Sequence, residues 1–303
     1  MYRFKKILVN LALDDQDEAL LNYAAKVADL AQSEKIYVVH VAESLDLPEE
    51  VKKEYPSMLG PTDEFIVADI EEKAQSYLKA TEKTTIDISV PHGNPLDELL
   101  RLVTQKDIDL IITGRRPEVR ESGTLAEKLT RKAPCSVLTV PCCTTGDFHN
   151  ILLPVDFSEH ARYAVDVATA WAKAAGAKSI NVINVYRVPM GFYKTGKSYD
   201  QFAEIMKNNA RKEYDTFIQD IDLRGITLTP NFILNDSVSK GILETLDDHN
   251  VDLLVMASRG RSDGIASLLG TTTERVLSKT DTPLLAVKEK GSGKGLLQML
   301  LEL

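Results

Sequence analysis

The chain alternates short apolar runs, rich in Val, Ile and Leu, with longer segments whose apolar residues recur at helical spacing. In the second half, the apolar runs predict five strands, at 151–155, 179–186, 227–234, 252–256 and 284–288. Strands that alternate with helices indicate βαβ units, in which crossover helices cover both faces of a parallel sheet. The predicted fold class is therefore α/β, an open sheet with helices on both faces.

The segments between these strands carry signals for the start and end of helices. Ser158 is suited to cap a helix that runs through Trp171 to Ala175, and Gly176 follows its end. Further helices are predicted at 200–220, 239–248 and 272–279. In open sheets of this kind, ligands bind beyond the carboxyl ends of the strands, where the strand order reverses. The loops that follow the strands are therefore the places where a site is expected.

The chain also repeats itself, and the repeat predicts its domain boundaries. Four matches carry the repeat: 6–12 with 150–156, 107–114 with 250–257, 123–127 with 270–274, and 133–140 with 282–287. We therefore predict two domains of one fold, at 1–143 and 149–289, each with a five-stranded parallel sheet. Residues 290–303 are predicted to form a flexible apolar tail, which either docks on a protein surface or stays disordered.

Composition and charge narrow the function. The chain has 303 residues, 44% of them hydrophobic, and no apolar run approaches the roughly 20 residues of a membrane-spanning helix. The apolar stretch near the N-terminus is too short for a secretion signal, so we expect a cytoplasmic protein. A formal charge of −9 argues against nucleic-acid binding, which requires a basic face. The first 147 residues hold 18 Lys and Arg against 26 Asp and Glu, so a phosphate ligand would be repelled less by the second half.

The histidines, cysteines and serines do not have the spacing of a metal site or of a catalytic motif. The five histidines are scattered without a metal-ligand pattern, and the three cysteines are expected to be reduced thiols. No G-x-S-x-G motif is present, which disfavours hydrolysis through a covalent intermediate. His40 matches Asn184 of the second copy and is a candidate to line a pocket in the first.

The loop after the fourth strand of the second half has the composition of a ligand-binding loop. Residues 257–272 combine Gly260 and Gly270, which permit close approach of a ligand, with the positive charges of Arg259 and Arg261. Thr271 and Glu274 have the spacing of a capping box that opens a helix, and a helix N-terminus suits a phosphate group. The alternative is an ordinary loop with solvated arginines.

With these features, the sequence resembles a tandem universal stress protein. The family's nucleotide signature is G-x2-G-x9-G-[S/T] after the fourth strand; Gly260, Gly270 and Thr271 match it, while Ala257 stands in place of the first glycine. The resemblance implies a Rossmann-like fold of the adenine nucleotide alpha-hydrolase type, and ATP or another adenine nucleotide as ligand, with or without Mg²⁺. The implied nucleotide-binding residues are Val155, Asp156, Val185, Met256, Ser258, Arg259, Gly260, Gly270, Thr271 and Thr272.

The first copy departs from this signature. Pro117 replaces the second glycine, the following gap is four residues shorter than the signature requires, and Ala12 replaces the aspartate after the first strand. Proline has no N–H group, so this loop is not expected to hold phosphates, and the first domain is predicted to act as a structural partner. The resemblance further implies that the last strands, 136–140 and 284–288, pair within one chain as a built-in dimer, with a homodimer also conceivable.

Four alternatives remain at this stage. The protein can be a nucleotide-free scaffold or sensor whose pockets hold an apolar ligand or a protein partner. A slow ATPase needs a group that activates water, for which only Asp156 and Asp263 are candidates. Asp156 can instead cap a turn together with Ser158. The aromatic segment 186–199 is either a lid over the base or an ordinary connection that packs its aromatic side chains onto the sheet edge.

Overall fold

The fold is taken from a computed structural model, which describes residues 4–42, 63–78, 84–115, 123–141, 144, 146–260 and 269–290. The first half contains β1 (Lys6–Leu11), α1 (Asp17–Ala31), β2 (Lys35–His40), α2 (Asp63–Tyr77), β3 (Thr85–Ser89), α3 (Pro95–Lys106), β4 (Leu110–Arg115), α4 (Leu125–Lys132) and β5 (Ser136–Pro141). The second half contains β6 (Ile151–Pro154), α5 (Glu159–Ala175), β7 (Ser179–Tyr186), α6 (Tyr199–Ile218), β8 (Thr227–Leu234), α7 (Val238–Asp248), β9 (Leu253–Ala257), α8 (Thr271–Leu277) and β10 (Leu284–Val287).

These elements confirm the predicted α/β fold, and the cap that the sequence predicted for α5 is present. The Ser158 side chain accepts a hydrogen bond from the backbone N–H of Ala161, and Gly176 ends the helix with a φ of +75°. Glycine adopts a positive φ with less strain than other residues do. Gly176 therefore fixes the end of α5 and the turn into β7.

All ten strands form one sheet, in the order β3-β2-β1-β4-β5-β10-β9-β6-β7-β8. Strands within each half are parallel, whereas β5 and β10 pair antiparallel, with Leu285 opposite Leu138. The strand order in each half reverses between its first and fourth strands, which are β1 and β4, or β6 and β9. Two such crevices therefore exist, one in each half.

The two halves share one hydrophobic core on one face of the sheet. The ring of Trp171 on α5 packs edge-on against Phe148 and Phe4, with ring centroids 5.4 and 5.9 Å apart. Phe148 also packs against Tyr23 on α1 at 5.2 Å. Edge-to-face aromatic packing of this kind adds to the apolar area buried. The junction between the halves is thus packed by side chains as well as by strand pairing.

Polar side chains cross the same junction. The Lys288 ammonium donates to the backbone oxygens of Arg131 and Ala133, at 3.1 and 2.8 Å. Burial lowers the pKa of Lys288 to about 8 and raises the pKa of the neighbouring Cys135 thiol to about 12. The guanidinium of Arg115 donates to the backbone oxygens of Ser278 and Thr280 in the second half.

The predicted tail begins at a residue that the structure describes. Lys290 pairs with Asp107 at 2.8 Å and with Asp109 at 2.5 Å, so the chain is attached to the first half at this point. Residues 291–303 lie outside the described residues. In the described part of the chain, no helix has the length and apolarity needed to cross a bilayer.

Candidate functional site

The crevice of the second half opens into a cavity of about 380 Å³. Its walls come from the carboxyl ends of β6, β7 and β9, the loop after β9, the start of α8 and one face of α7. The lining residues are Pro154, Val155, Asp156, Ala161, Ile183, Asn184, Val185, Val238, Ile242, Met256, Ala257, Arg259, Gly260, Gly270, Thr271, Thr272 and Thr273. The volume falls in the range of about 300–1,000 Å³ that is typical of small-molecule sites.

The cavity brings together nine of the ten residues that the sequence singled out. The exception is Ser258, which is 6% exposed and does not line this cavity. Its backbone N–H donates to Val287 at 3.0 Å, and its carbonyl accepts from Gly270 at 2.7 Å. Ser258 therefore joins β9 to β10 and holds Gly270 in place, and the ligand contact expected for it stays a prediction.

A proline keeps this crevice open. The pairing of β6 with β9 reaches only from Ile151 to Leu152, whereas β1 and β4 stay paired through Asn10 and Thr113. Pro154 occupies the position that matches Asn10, and proline has no N–H group to donate to a neighbouring strand. The strands therefore separate earlier in the second half, which agrees with its larger cavity.

Asp156 follows β6 and has a structural contact at the mouth of the cavity. Its Oδ1 accepts hydrogen bonds from the backbone N–H of Ser158 at 3.1 Å and from the Ser158 hydroxyl at 2.6 Å. Phe157 between them has a φ of +62°, which this turn stabilises. The turn that the sequence left as an alternative is thus present, and the half-buried Asp156 lines the cavity as well.

Ala257, which replaces a signature glycine, fits its position without strain. It is the last residue of β9 and pairs with Val287 in the extended conformation, which any residue adopts. Its carbonyl accepts a hydrogen bond from the Thr273 hydroxyl at 2.9 Å. This contact ties the start of α8 to the end of β9.

The predicted capping box at Thr271 is wrong. Gly270 occupies the cap position of α8, without a side-chain hydrogen bond, and Thr271 is the first helical residue. The Glu274 carboxylate is paired with Arg131 of the first half rather than turned back towards the helix start. The N–H groups of residues 271–273 have no acceptor within α8, because the first turn of a helix lacks carbonyls four residues earlier.

One face of α7 forms an apolar wall that the sequence analysis missed. Val238 and Ile242 line the cavity, and a Cβ built on Gly241 would lie 3.1 Å from both methyl groups of Val185. The helix therefore approaches β7 closely because residue 241 is glycine. The spacing of residues 238, 241 and 242 along one helix face was the available signal.

The aromatic segment after β7 does not line the described cavity. The ring of Phe192 packs against Tyr193, Tyr199 and Phe202, with centroids 5.6–6.3 Å apart, and the Tyr193 side chain is 68% exposed. The segment thus packs on itself, as in the alternative of an ordinary connection.

The first half has a smaller cavity, of about 230 Å³, at the corresponding crevice. His40 does not line this cavity; its Nδ1 lies 3.1 Å from the Leu11 carbonyl oxygen. The corresponding contact in the second half is the hydrogen bond from the Asn184 amide to the Val155 carbonyl. Thr124 caps α4, because its side chain accepts a hydrogen bond from the backbone N–H of Glu127. Pro117, Arg261 and Asp263 lie outside the described residues.

Comparisons with known proteins agree with this architecture. The profile of the universal stress protein family matches residues 3–141 and again 147–288. A universal stress protein of Methanocaldococcus jannaschii is 28% identical over 162 residues, covering 98% of that protein and 48% of this chain. The crystal structure of a universal stress protein from Archaeoglobus fulgidus is 18% identical, with a TM-score of 0.66, and the match covers 95% of this chain and 99% of that one. The chain therefore belongs to the universal stress protein family, and it carries two copies of the family's domain in tandem.

Proposed function

We propose that this protein is a cytoplasmic stress-response protein that binds one adenine nucleotide per chain, in the second half. The observation that carries the proposal is the single cavity around which Val155, Asp156, Val185 and the loop after β9 come together. The cavity lies where the strand order reverses, which is the usual ligand position in an open α/β sheet.

Two groups of lining residues suit different parts of a nucleotide. Val185, Val238 and Ile242 offer apolar surface for a planar base. Arg259, in the loop after β9, and the N–H groups of Thr271 and Thr272, at the start of α8, are suited to phosphate oxygens, as positive charge and as donors. The Gly270 N–H is already bonded to Ser258, so Gly270 contributes space rather than a donor. Asp156 is placed to accept a ribose hydroxyl or a water bound to Mg²⁺.

The first half serves in this proposal as the structural partner of the second. The support is the antiparallel pairing of β5 with β10, together with the aromatic packing of Phe4 and Phe148 on Trp171. Glu274 of α8 pairs with Arg131, so the first half also contacts the helix that borders the nucleotide cavity. The tandem arrangement thereby forms within one chain the contacts that a dimer would form between two chains.

The experiment is calorimetric titration with ATP, ADP and AMP, with and without Mg²⁺, after mass spectrometry of any small molecules released on denaturation. We expect about one nucleotide per chain. Asp156→Asn should weaken binding at least tenfold, because an amide accepts from a ligand hydroxyl less strongly than a carboxylate.

A matched control is available in the first half. Asp14 accepts from the backbone N–H two residues later, at 3.0 Å from Gln16, as Asp156 does from Ser158. Asp14→Asn should leave nucleotide affinity unchanged. Two nucleotides per chain, or equal losses in both variants, would refute the assignment to the second half. No nucleotide bound at all would favour the scaffold whose apolar cavity holds another ligand.

A further inference from the structure

The first half contains a cavity that the nucleotide proposal does not use. It encloses about 230 Å³ between the carboxyl ends of β1 and β4 and the starts of α1 and α4. Its wall is formed by Asn10, Ala12, Asp14, Gln16, Asp17, Leu20, Thr113, Gly114, Arg115, Thr124, Leu125 and Ala126. None of these residues is shared with the cavity of the second half.

A buried carboxylate with an unsatisfied oxygen lies in this wall. Asp17, in the first turn of α1, is 1% exposed, and its Oδ1 accepts from the backbone N–H of Ala12 at 3.0 Å. Its Oδ2 is also buried and has no hydrogen-bond partner. Burial raises the pKa of this carboxyl group. A buried polar atom without a partner is unfavourable and calls for a ligand, a water or an ion beside it.

The two halves have their carboxylate at different positions in the chain. The second half has Asp156 after its first strand and Ala161 in the first turn of the next helix, whereas the first half has Ala12 and Asp17 at the corresponding positions. Because Asp17 bonds to the backbone of Ala12, its carboxylate lies beside the position that Asp156 occupies in the other half. Both cavities therefore keep a carboxylate, and each described wall includes one arginine, Arg115 in the first half and Arg259 in the second.

In the described part of the chain, the charged groups around Asp17 are carboxylates or cations that already have partners. The charge of Lys73 opposes the rise in the Asp17 pKa, and Lys73 pairs with Asp69 at 2.8 Å. Asp14 is the second carboxylate of the described wall, and its Oδ1 accepts from the Gln16 N–H. Arg115 carries the positive charge of this wall, but its guanidinium donates across the junction to Ser278 and Thr280. An anionic ligand would meet repulsion here, and a purely apolar ligand would leave the Asp17 Oδ2 unsatisfied.

We propose that this cavity is a second ligand site, specific for a small organic ammonium ion with an apolar body. The ammonium would donate to the Asp17 Oδ2, and the apolar body would contact Leu20, Leu125 and Ala126. Asn10, Gln16, Thr113 and Thr124 supply neutral polar groups for the remaining N–H donors. The small volume restricts the ligand to a size well below that of a nucleotide.

The test is calorimetric titration of the full chain with three primary ammonium ions: propylammonium, butylammonium and phenethylammonium. The charge control is 3-phenylpropanoate, which matches phenethylammonium in size and apolar body but is an anion. At least one ammonium ion should bind, and 3-phenylpropanoate should not. Asp17→Asn should weaken ammonium binding at least tenfold, whereas Asp156→Asn in the second half should leave it unchanged.

A second measurement does not depend on any variant folding well. With labelled methyl groups, the ammonium ion that binds should shift the NMR signals of Leu20 and Leu125 and leave those of Val185 and Ile242 unchanged. Failure of all three ammonium ions to shift the Leu20 and Leu125 signals would overturn the proposal. So would equal binding of the carboxylate analogue, or undiminished binding to Asp17→Asn. A failure of nucleotide binding would leave this result unaffected, because the two cavities share no residue.

Discussion

Arg115 is a buried arginine of the first half with hydrogen-bond partners in the second half. It is 7% exposed, its Nη2 donates to the Ser278 carbonyl at 2.8 Å, and its Nη1 donates to the Thr280 carbonyl. Both carbonyls lie just beyond the C-terminal end of α8, which a positive charge also stabilises. Arg115→Met would remove the donors and keep an unbranched side chain.

The expected cost follows from these contacts. Each hydrogen bond that involves a charged group contributes about 1.5–3 kcal/mol, so the two together contribute about 3–6 kcal/mol. Methionine avoids the desolvation cost of a buried guanidinium, which offsets part of this loss. We therefore expect Arg115→Met to lower the free energy of unfolding by about 2–4 kcal/mol.

The matched control is another arginine that crosses the same junction. The side chains of Arg131 and Glu274 are 49% and 36% exposed, and exposed ion pairs contribute about 0–1 kcal/mol. Arg131→Met should therefore change the free energy of unfolding by about 1 kcal/mol or less.

Urea denaturation followed by circular dichroism and by tryptophan fluorescence measures both variants. Trp171 is the single tryptophan and is 1% exposed at the packed junction, so its fluorescence reports on this region. If Arg115→Met costs no more than Arg131→Met, burial is not what makes the Arg115 contacts strong, and this reasoning is refuted.

Three further predictions concern the nucleotide cavity and the junction. Gly270→Val should lower nucleotide affinity at least tenfold. The loss of stability should be small, because the φ of −69° at residue 270 suits any residue. If calorimetry shows unchanged affinity, Gly270 does not border the bound phosphates. Gly241→Ala should also weaken binding, because its Cβ would lie 3.1 Å from the Val185 methyl groups and displace the cavity wall; an affinity equal to that of the wild type would contradict this. The contribution of Lys288 to the free energy of unfolding should rise by about 1 kcal/mol between pH 8 and 9, because its depressed pKa, about 8, makes the unfolded chain bind more protons at this residue in that window. Lys288→Met should lack this rise in urea titrations, and Cys135→Ala should remove an opposing fall above pH 9 that arises from the raised thiol pKa of about 12.

Much of the fold and of the candidate site was predictable because it depends on local sequence. The apolar runs gave strands within a residue or two of those observed, and Ser158 and Gly176 bound α5 as their types require. The loop after β9 was predictable because the carboxyl ends of the strands meet at one edge of a parallel sheet, whereas Asp156 and Val185 were implied by the family resemblance. The internal repeat then predicted the corresponding crevice in the other half.

The role of a single loop residue was less predictable. Ser258 lies between two cavity residues in sequence, yet its backbone bonds turn it towards β10. Glu274 has the spacing of a capping residue, but Arg131, more than a hundred residues away, pairs with it. In both cases a distant partner competes with the local pattern, and sequence spacing contains no information about that partner.

The sequence by itself determined that two similar α/β domains follow one another, and which loops border their crevices. The family resemblance implied that the two last strands pair, and only the tertiary structure decided their antiparallel direction and the register that places Leu285 opposite Leu138. It also decided that β6 separates from β9 after Leu152, and that the Asp17 carboxylate lies beside Ala12 in the first cavity. The physical reason is that periodicity and capping act within a few residues, whereas strand partners, buried charges and cavity walls depend on packing between distant segments.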